Sequence, residues 1–139
     1  MNEYIRDNRL KSTDEAWLVV DKDQWRDDQL SPLLQWSQQA ANYGVAVSNP
    51  KFELWLLMHF EDATGVATSR QCSERLKRHL PNYDKGRIDS GKLKPGIAAA
   101  INRAKQKDQP PCTGWPVSSG TTVYRLVEKL NIALDGRSM

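Results

Sequence analysis

Asp21 and Asp23 stand two residues apart at the end of a short apolar run, Trp17-Leu18-Val19-Val20-Asp21-Lys22-Asp23. If the run is a buried parallel strand, both carboxylates lie at or just past its carboxyl end, where open α/β sheets bind ligands. Extended residues two apart point to the same side, so both groups can reach one hard cation. Oxygen-only ligation of that kind suits Mg²⁺ or Mn²⁺. Aspartates are also common wherever a strand leaves a core, because they form turns and cap helices; both readings stay open on this stretch alone. A third carboxylate, Glu53, opens an otherwise apolar helical stretch, Phe52-Glu53-Leu54-Trp55-Leu56-Leu57-Met58-His59-Phe60. It reads either as a partner of the helix dipole or as a third acidic group beside the aspartates, a ligand or general base. His59, six positions on and roughly across the helix from Glu53, reads as a buried histidine with one hydrogen bond.

VVDKDQW over 19–25, SNPKFELWLLMHF over 48–60 and GTTVYRLVEKL over 120–130 together resemble the RloB-like family of bacterial proteins. The resemblance covers roughly residues 14 to 134, and SNP-x-FELWLL-x-HF is its most specific part. It implies a Toprim-like domain, the metal-dependent fold of topoisomerases, primases and some nucleases. It implies association with phage-defence and abortive-infection loci, and relatives often encoded beside an ATPase. On that basis Asp21 and Asp23 are the Toprim aspartate pair, and Ser48, Asn49, Pro50, Phe52, Glu53, Trp55 and His59 match the second motif. Full-length relatives begin with a strand and a glutamate motif of the E-G-x-x-T-E kind. The first twenty residues hold none, so the expectation is a single domain over 1–139 that is short at its N-terminus, with Glu53 as a substitute acid or base.

Charge is distributed unevenly. Residues 1–68 hold six Lys/Arg and eleven Asp/Glu, residues 69–107 hold eleven and three, and residues 108–139 hold three of each. An acidic cation-holding half followed by a basic segment suits a phosphodiester substrate, with Arg70, Arg75, Arg78, Lys92 and Lys94 as the phosphate-binding candidates. The same residues also fit ordinary solvated faces, since Tyr83 is the one aromatic among them for base stacking. No run of eighteen apolar residues and no basic-then-apolar leader is present. Cys72 and Cys112 lack CxxC spacing, so two unpaired thiols in a reducing cytoplasm are expected.

The elements that must position these groups follow from periodicity. Strands are expected at 16–20 and 44–48, joined by a helix over 27–42 whose start shifts toward Ser31, because Pro32 fits only a first turn. Pro50 suits the first turn of a helix over 50–60, with Ser48 or Asn49 as its cap. Phe52, Trp55, Leu56, His59 and Phe60 form one stripe of that helix. Further helices are expected over 1–9, 69–79, 95–107 and 121–134, with loops at 81–93 and 108–120. The class is α/β, a small Toprim- or Rossmann-like parallel sheet flanked by helices with a helix-rich C-terminal part. Two strands make a poor sheet, so the reading expects unseen strands or a homodimer. Two functions compete: a Mg- or Mn-dependent nuclease-like enzyme acting on nucleic acid or nucleotide phosphates, and a non-catalytic partner of an ATPase in a defence complex.

Overall fold

The apolar run after Glu15 forms strand β1 (Ala16–Asp21), which pairs in parallel with β2 (Tyr43–Asn49) from Ala16↔Tyr43 to Asp21↔Ser48. The computed structural model describes residues 15–84, 88 and 90–137, with side chains to residue 130; the helix expected over 1–9 lies outside them. A parallel pair needs a crossover, supplied here by helix α1 (Asp27–Ser37). The helix starts at Asp27 rather than near Ser31, so Pro32 lies inside it. The Arg26 amide donates to Gln29 Oε1 at 2.8 Å, and Ser31 Oγ donates to the Asp27 carbonyl at 3.0 Å. An internal proline costs about 3 kcal/mol. Burying Leu30 and Trp36 on the sheet side returns about 1.5–3 kcal/mol for a side chain of that size, enough to offset it. The helix ends five residues earlier than expected, and Trp36 stacks on Tyr43 of β2 at 4.8 Å.

A third strand, β3 (Gly120–Thr121), pairs antiparallel with the end of β2 through Ser48↔Thr121 and Asn49↔Gly120. The order is β1-β2-β3. The α/β class holds, but the sheet is mixed rather than parallel throughout, and residues 120–121 extend it where helix and loop were expected.

The remaining helices are α2 (Glu53–Leu57), α3 (Ser69–His79), α4 (Ser90–Leu93), α5 (Ile97–Lys107) and α6 (Val123–Arg137). α3 coincides with its expected span. Its start is set by Thr68, whose hydroxyl accepts from the Gln71 amide while Gln71 Oε1 accepts from the Thr68 amide, a reciprocal cap. α2 is much shorter than the expected 50–60. Pro50 and Lys51 lie outside it, and the Asn49–Pro50 peptide is cis. Neither Ser48 nor Asn49 caps it, because both are used by the sheet.

The main core joins α2 to α3 and α5 through Leu54, Leu57, Met58, Cys72, Leu76, Ala100 and Ala104. A smaller core under the sheet edge comprises Val20, Leu30 and Val47, with Trp25, Leu33 and Trp115 packed on it. Gly96 lets α5 start against the end of α2: a β-carbon there would stand 2.2 Å from the His59 carbonyl oxygen. Among the described residues no helix is long and apolar enough to cross a membrane.

Candidate functional site

Parallel register brings the polar ends of β1 and β2 together. Asp21, Ser48 and Thr121 form one row across the three strands. Ser48 and Thr121 share a buried hydroxyl–hydroxyl hydrogen bond of 2.7 Å. The Val47 amide donates to Thr122 Oγ1 at 2.9 Å, and the Thr122 amide donates to the Val47 carbonyl at 2.9 Å. The Val123 amide, at the start of α6, donates to Thr121 Oγ1. The Gly-Thr-Thr segment is therefore both the last strand and the cap of the last helix. It completes the backbone pairing that β2 would otherwise lack at this end.

Asp21 is the final residue of β1, and its Oδ1 accepts from the Phe52 amide at 2.8 Å. That bond ties the carboxylate to the turn that opens α2. Asp23 is placed differently from the sequence expectation. Residues Lys22–Gln24 form a 3₁₀ turn, so the two aspartates are not alternate residues of one extended strand, and the same-side argument does not apply. The Asp23 amide donates to the Pro50 carbonyl at 3.0 Å, while its side chain is exposed and lines a cleft of about 360 Å³ with Lys22, Asp27, Asn49, Trp115 and Val117. Lys22 pairs with Asp27 at 3.2 Å.

Glu53 is buried, and its Oε2 accepts from the Tyr83 hydroxyl at 2.8 Å. Burial, that bond and the charges of Glu53, Asp21 and Asp84 all push the Tyr83 hydroxyl up, keeping it a donor. Cys72 reports on the same neighbourhood. Burial foremost raises its thiol to about 12; Lys51 opposes that, while Glu53, Asp21 and Asp23 add to it. Three carboxylates thus lie within electrostatic reach of one thiol, and the deprotonated, nucleophilic form of that thiol is suppressed. Lys51, whose Nζ donates to Ser73 Oγ, brings a cation into the group.

Among the described residues no three His, Cys, Asp or Glu side chains come together as a metal-ligand group. Mg²⁺ is commonly held by one or two carboxylates, with water and substrate phosphate supplying the rest.

His59 is buried behind this region. Its Nδ1–H donates to the Trp55 carbonyl at 2.9 Å, and its ring meets Trp55 edge-on. Burial holds its pKa below the usual histidine range against the raising effect of its backbone bonds. His59 is buried as the sequence suggests, and both Trp55 and Leu56 of the backbone bond it rather than one group alone.

Among the described residues no one cavity collects the five basic candidates. Arg75 binds Glu61 at 2.5 Å and the Thr64 carbonyl at 2.8 Å, and with Arg78 it lines a small polar cavity beside α3. Arg70 is exposed and pairs along the helix with Glu74. Lys92 and Lys94 are exposed around α4, and Lys94 lines a separate, mainly apolar hollow with His59 and Ile97.

Sequence reasoning named Asn49 in the second motif but did not place Tyr83, Lys51 or Trp115 at this site. Trp115 carried a signal: it is a large aromatic in a loop of Pro, Gly and small polar residues.

No curated protein matches this chain, and no solved structure matches it. The RloB-like protein family matches residues 1–130. That span takes in both the Ser48–Phe60 segment and the Gly-Thr-Thr segment, which bond to each other across the sheet. With the match running over most of its length, the chain belongs to the RloB-like protein family.

Proposed function

We propose that this protein is a metal-dependent, phosphodiester-processing component of a bacterial phage-defence system, built on a Toprim-like site. One observation carries the reading: Asp21 ends β1 beside Ser48 of its parallel neighbour, and Asp23, two residues on, lines an open cleft, at the strand ends where α/β sheets bind ligands. Asp21 and Asp23 would hold Mg²⁺ or Mn²⁺, which when bound supplies charge to a phosphoryl oxygen and a more acidic water. Asp21 is oriented by the Phe52 amide. Glu53, buried and held by the Tyr83 hydroxyl, is the candidate proton acceptor. Lys51 and the exposed basic residues neutralise substrate phosphates.

Calorimetric titration with Mn²⁺ tests the ion site. Asp21→Asn retains an oxygen for the Phe52 amide and removes the charge; Asp23→Asn changes an exposed side chain. Both variants are expected to fold and to bind Mn²⁺ more weakly than wild type. Equal affinity in all three removes the site. Incubation with single- and double-stranded DNA and RNA in Mg²⁺ or Mn²⁺ then tests processing, which Asp21→Asn should abolish.

A second reading, a non-catalytic partner of an ATPase or of a second copy of this chain, has one observation in its favour. Among the described residues β1 is paired on one side only, and its Val19 is 45% exposed. Light scattering across a concentration range, alone and with a candidate ATPase partner, tests it; a constant monomer mass rejects it.

A further inference from the structure

The loop between α5 and β3 is held at both ends. At its start, buried Asp108 accepts from the Tyr124 hydroxyl at 2.5 Å, from Arg125 at 2.8 Å and from the Cys112 amide at 3.0 Å. Arg125 also donates to the Cys112 carbonyl at 2.9 Å. At its far end, Asn49 Nδ2 donates to the Pro116 carbonyl at 3.0 Å, and Gly120 enters the sheet. Between these anchors the loop lays Trp115 on the small core of Val20, Leu30 and Val47 and presents Val117 at 92% exposure. Trp115 and Val117 form the apolar wall of the same cleft whose polar wall is Lys22, Asp23, Asp27 and Asn49. Core packing accounts for part of Trp115 but not for Val117, nor for an apolar wall facing a carboxylate edge.

A nucleic-acid strand offers that combination of chemistry: a phosphate that needs cations, attached to a flat base that needs a π face. We propose that Trp115 is the stacking platform for an unpaired base of a single-stranded substrate whose phosphate lies at the Asp21 and Asp23 edge. The inference rests on the metal-dependent reading above and adds the substrate class to it. Base–aromatic stacking tolerates any sequence, whereas in a duplex the base faces are already stacked on one another. A cleft of about 360 Å³ also lies near the small end of the range for ligand pockets, a size suited to a nucleotide.

The test is fluorescence anisotropy, in Mn²⁺, with labelled oligothymidylate, an abasic strand of equal length and a duplex. It compares wild type, Trp115→Phe and Trp115→Leu. Leucine keeps an apolar contact with Val20, Leu30 and Val47 and removes the ring; circular dichroism checks that the variant folds. Trp115→Leu should lose roughly tenfold or more in affinity for oligothymidylate, with abasic binding unchanged. Trp115→Phe should stay near wild type, and the duplex should bind more weakly than the single strand. Equal affinities for wild type and Trp115→Leu, or an equal loss on both strands, overturn the proposal. Wild type that takes up Mn²⁺ but binds neither strand sinks this inference and leaves the ion site standing. Mn²⁺ uptake unaffected by Asp21→Asn sinks the ion site, while the strand comparison still decides the role of Trp115.

Discussion

The carboxyl edge of the sheet and helix α3 both carry dense charge, but they hold it differently. At the edge, backbone register sets the positions: Asp21, Ser48 and Thr121 fall in one row, and Asp21 is tied to the Phe52 amide. On α3, positions follow local pairing. Arg75 is drawn onto Glu61, His79 meets the same carboxylate, and Arg70 stays on the surface with Glu74. Arg103 of α5 likewise pairs with Asp62. Glu61 and Asp62 belong to the acidic half of the sequence, so part of the charge separation along the chain cancels once it folds. A segment's net charge is therefore a weak guide to where unpaired charge gathers on the folded surface.

The largest expected effect lies beneath the edge. Trp55 sits in the main core, and Trp55→Ala should cost about 3–5 kcal/mol through lost burial and a cavity. Against a typical stability of about 5–15 kcal/mol the variant would be barely folded. A denaturant midpoint close to wild type would show that α2 does not support the edge.

Thr122→Val comes next. It preserves shape but leaves the buried Val47 amide without its side-chain acceptor, at about 1–3 kcal/mol. Chemical denaturation measures the cost, and hydrogen exchange at the Val47 amide should speed up. No change in either would mean that the edge is held by strand pairing alone.

Two arginines on one helix sharpen the contrast. Arg75→Ala, which breaks bonds to Glu61 and the Thr64 carbonyl, should cost about 1 kcal/mol. Arg70→Ala, which removes an exposed i,i+4 pair, should cost no more than about 0.5 kcal/mol. Equal costs would show that α3 treats its charges alike.

The smallest effect is a slope. His59 has a folded pKa below its unfolded value of about 6.5, so the unfolded chain takes up its proton first as pH falls. The stabilisation is complete above about pH 6.5 and is lost as pH falls through the lower, folded pKa. His59→Gln should flatten the dependence of the denaturant midpoint between neutral and mildly acidic pH. An unchanged slope would assign it to other groups.

Much of this frame was legible beforehand, and the exceptions have physical causes. The strand ending in Asp21 and the helix Ser69–His79 have strong periodicity and clear boundaries. Strand β3 has two residues and acquires its identity from a distant partner, so no local pattern marks it. Pro32 was weighed by local cost alone, which the burial of Leu30 and Trp36 outweighs. Asp23 was placed by treating residues 21–23 as extended, where the chain instead tightens into a 3₁₀ turn at Lys22–Gln24. The basic residues were grouped by proximity in sequence, which cannot reveal that Glu61 claims Arg75. Trp115 reaches the cleft because Asn49 and Asp108 pin its loop, and those bonds span the fold.

The bonds from Ser48 to Thr121 and from Val47 to Thr122 join positions 73 and 75 residues apart. Contacts of such separation must close a long loop before they contribute, which slows folding. During synthesis the carboxylate edge therefore emerges early but stays unfinished until Gly120–Thr122 leaves the ribosome. A chain interrupted before that point carries Asp21 and Asp23 on an incomplete sheet. The order of translation thus leaves the sheet edge incomplete until residues 120–122 have been made, and partial products would not carry a completed edge.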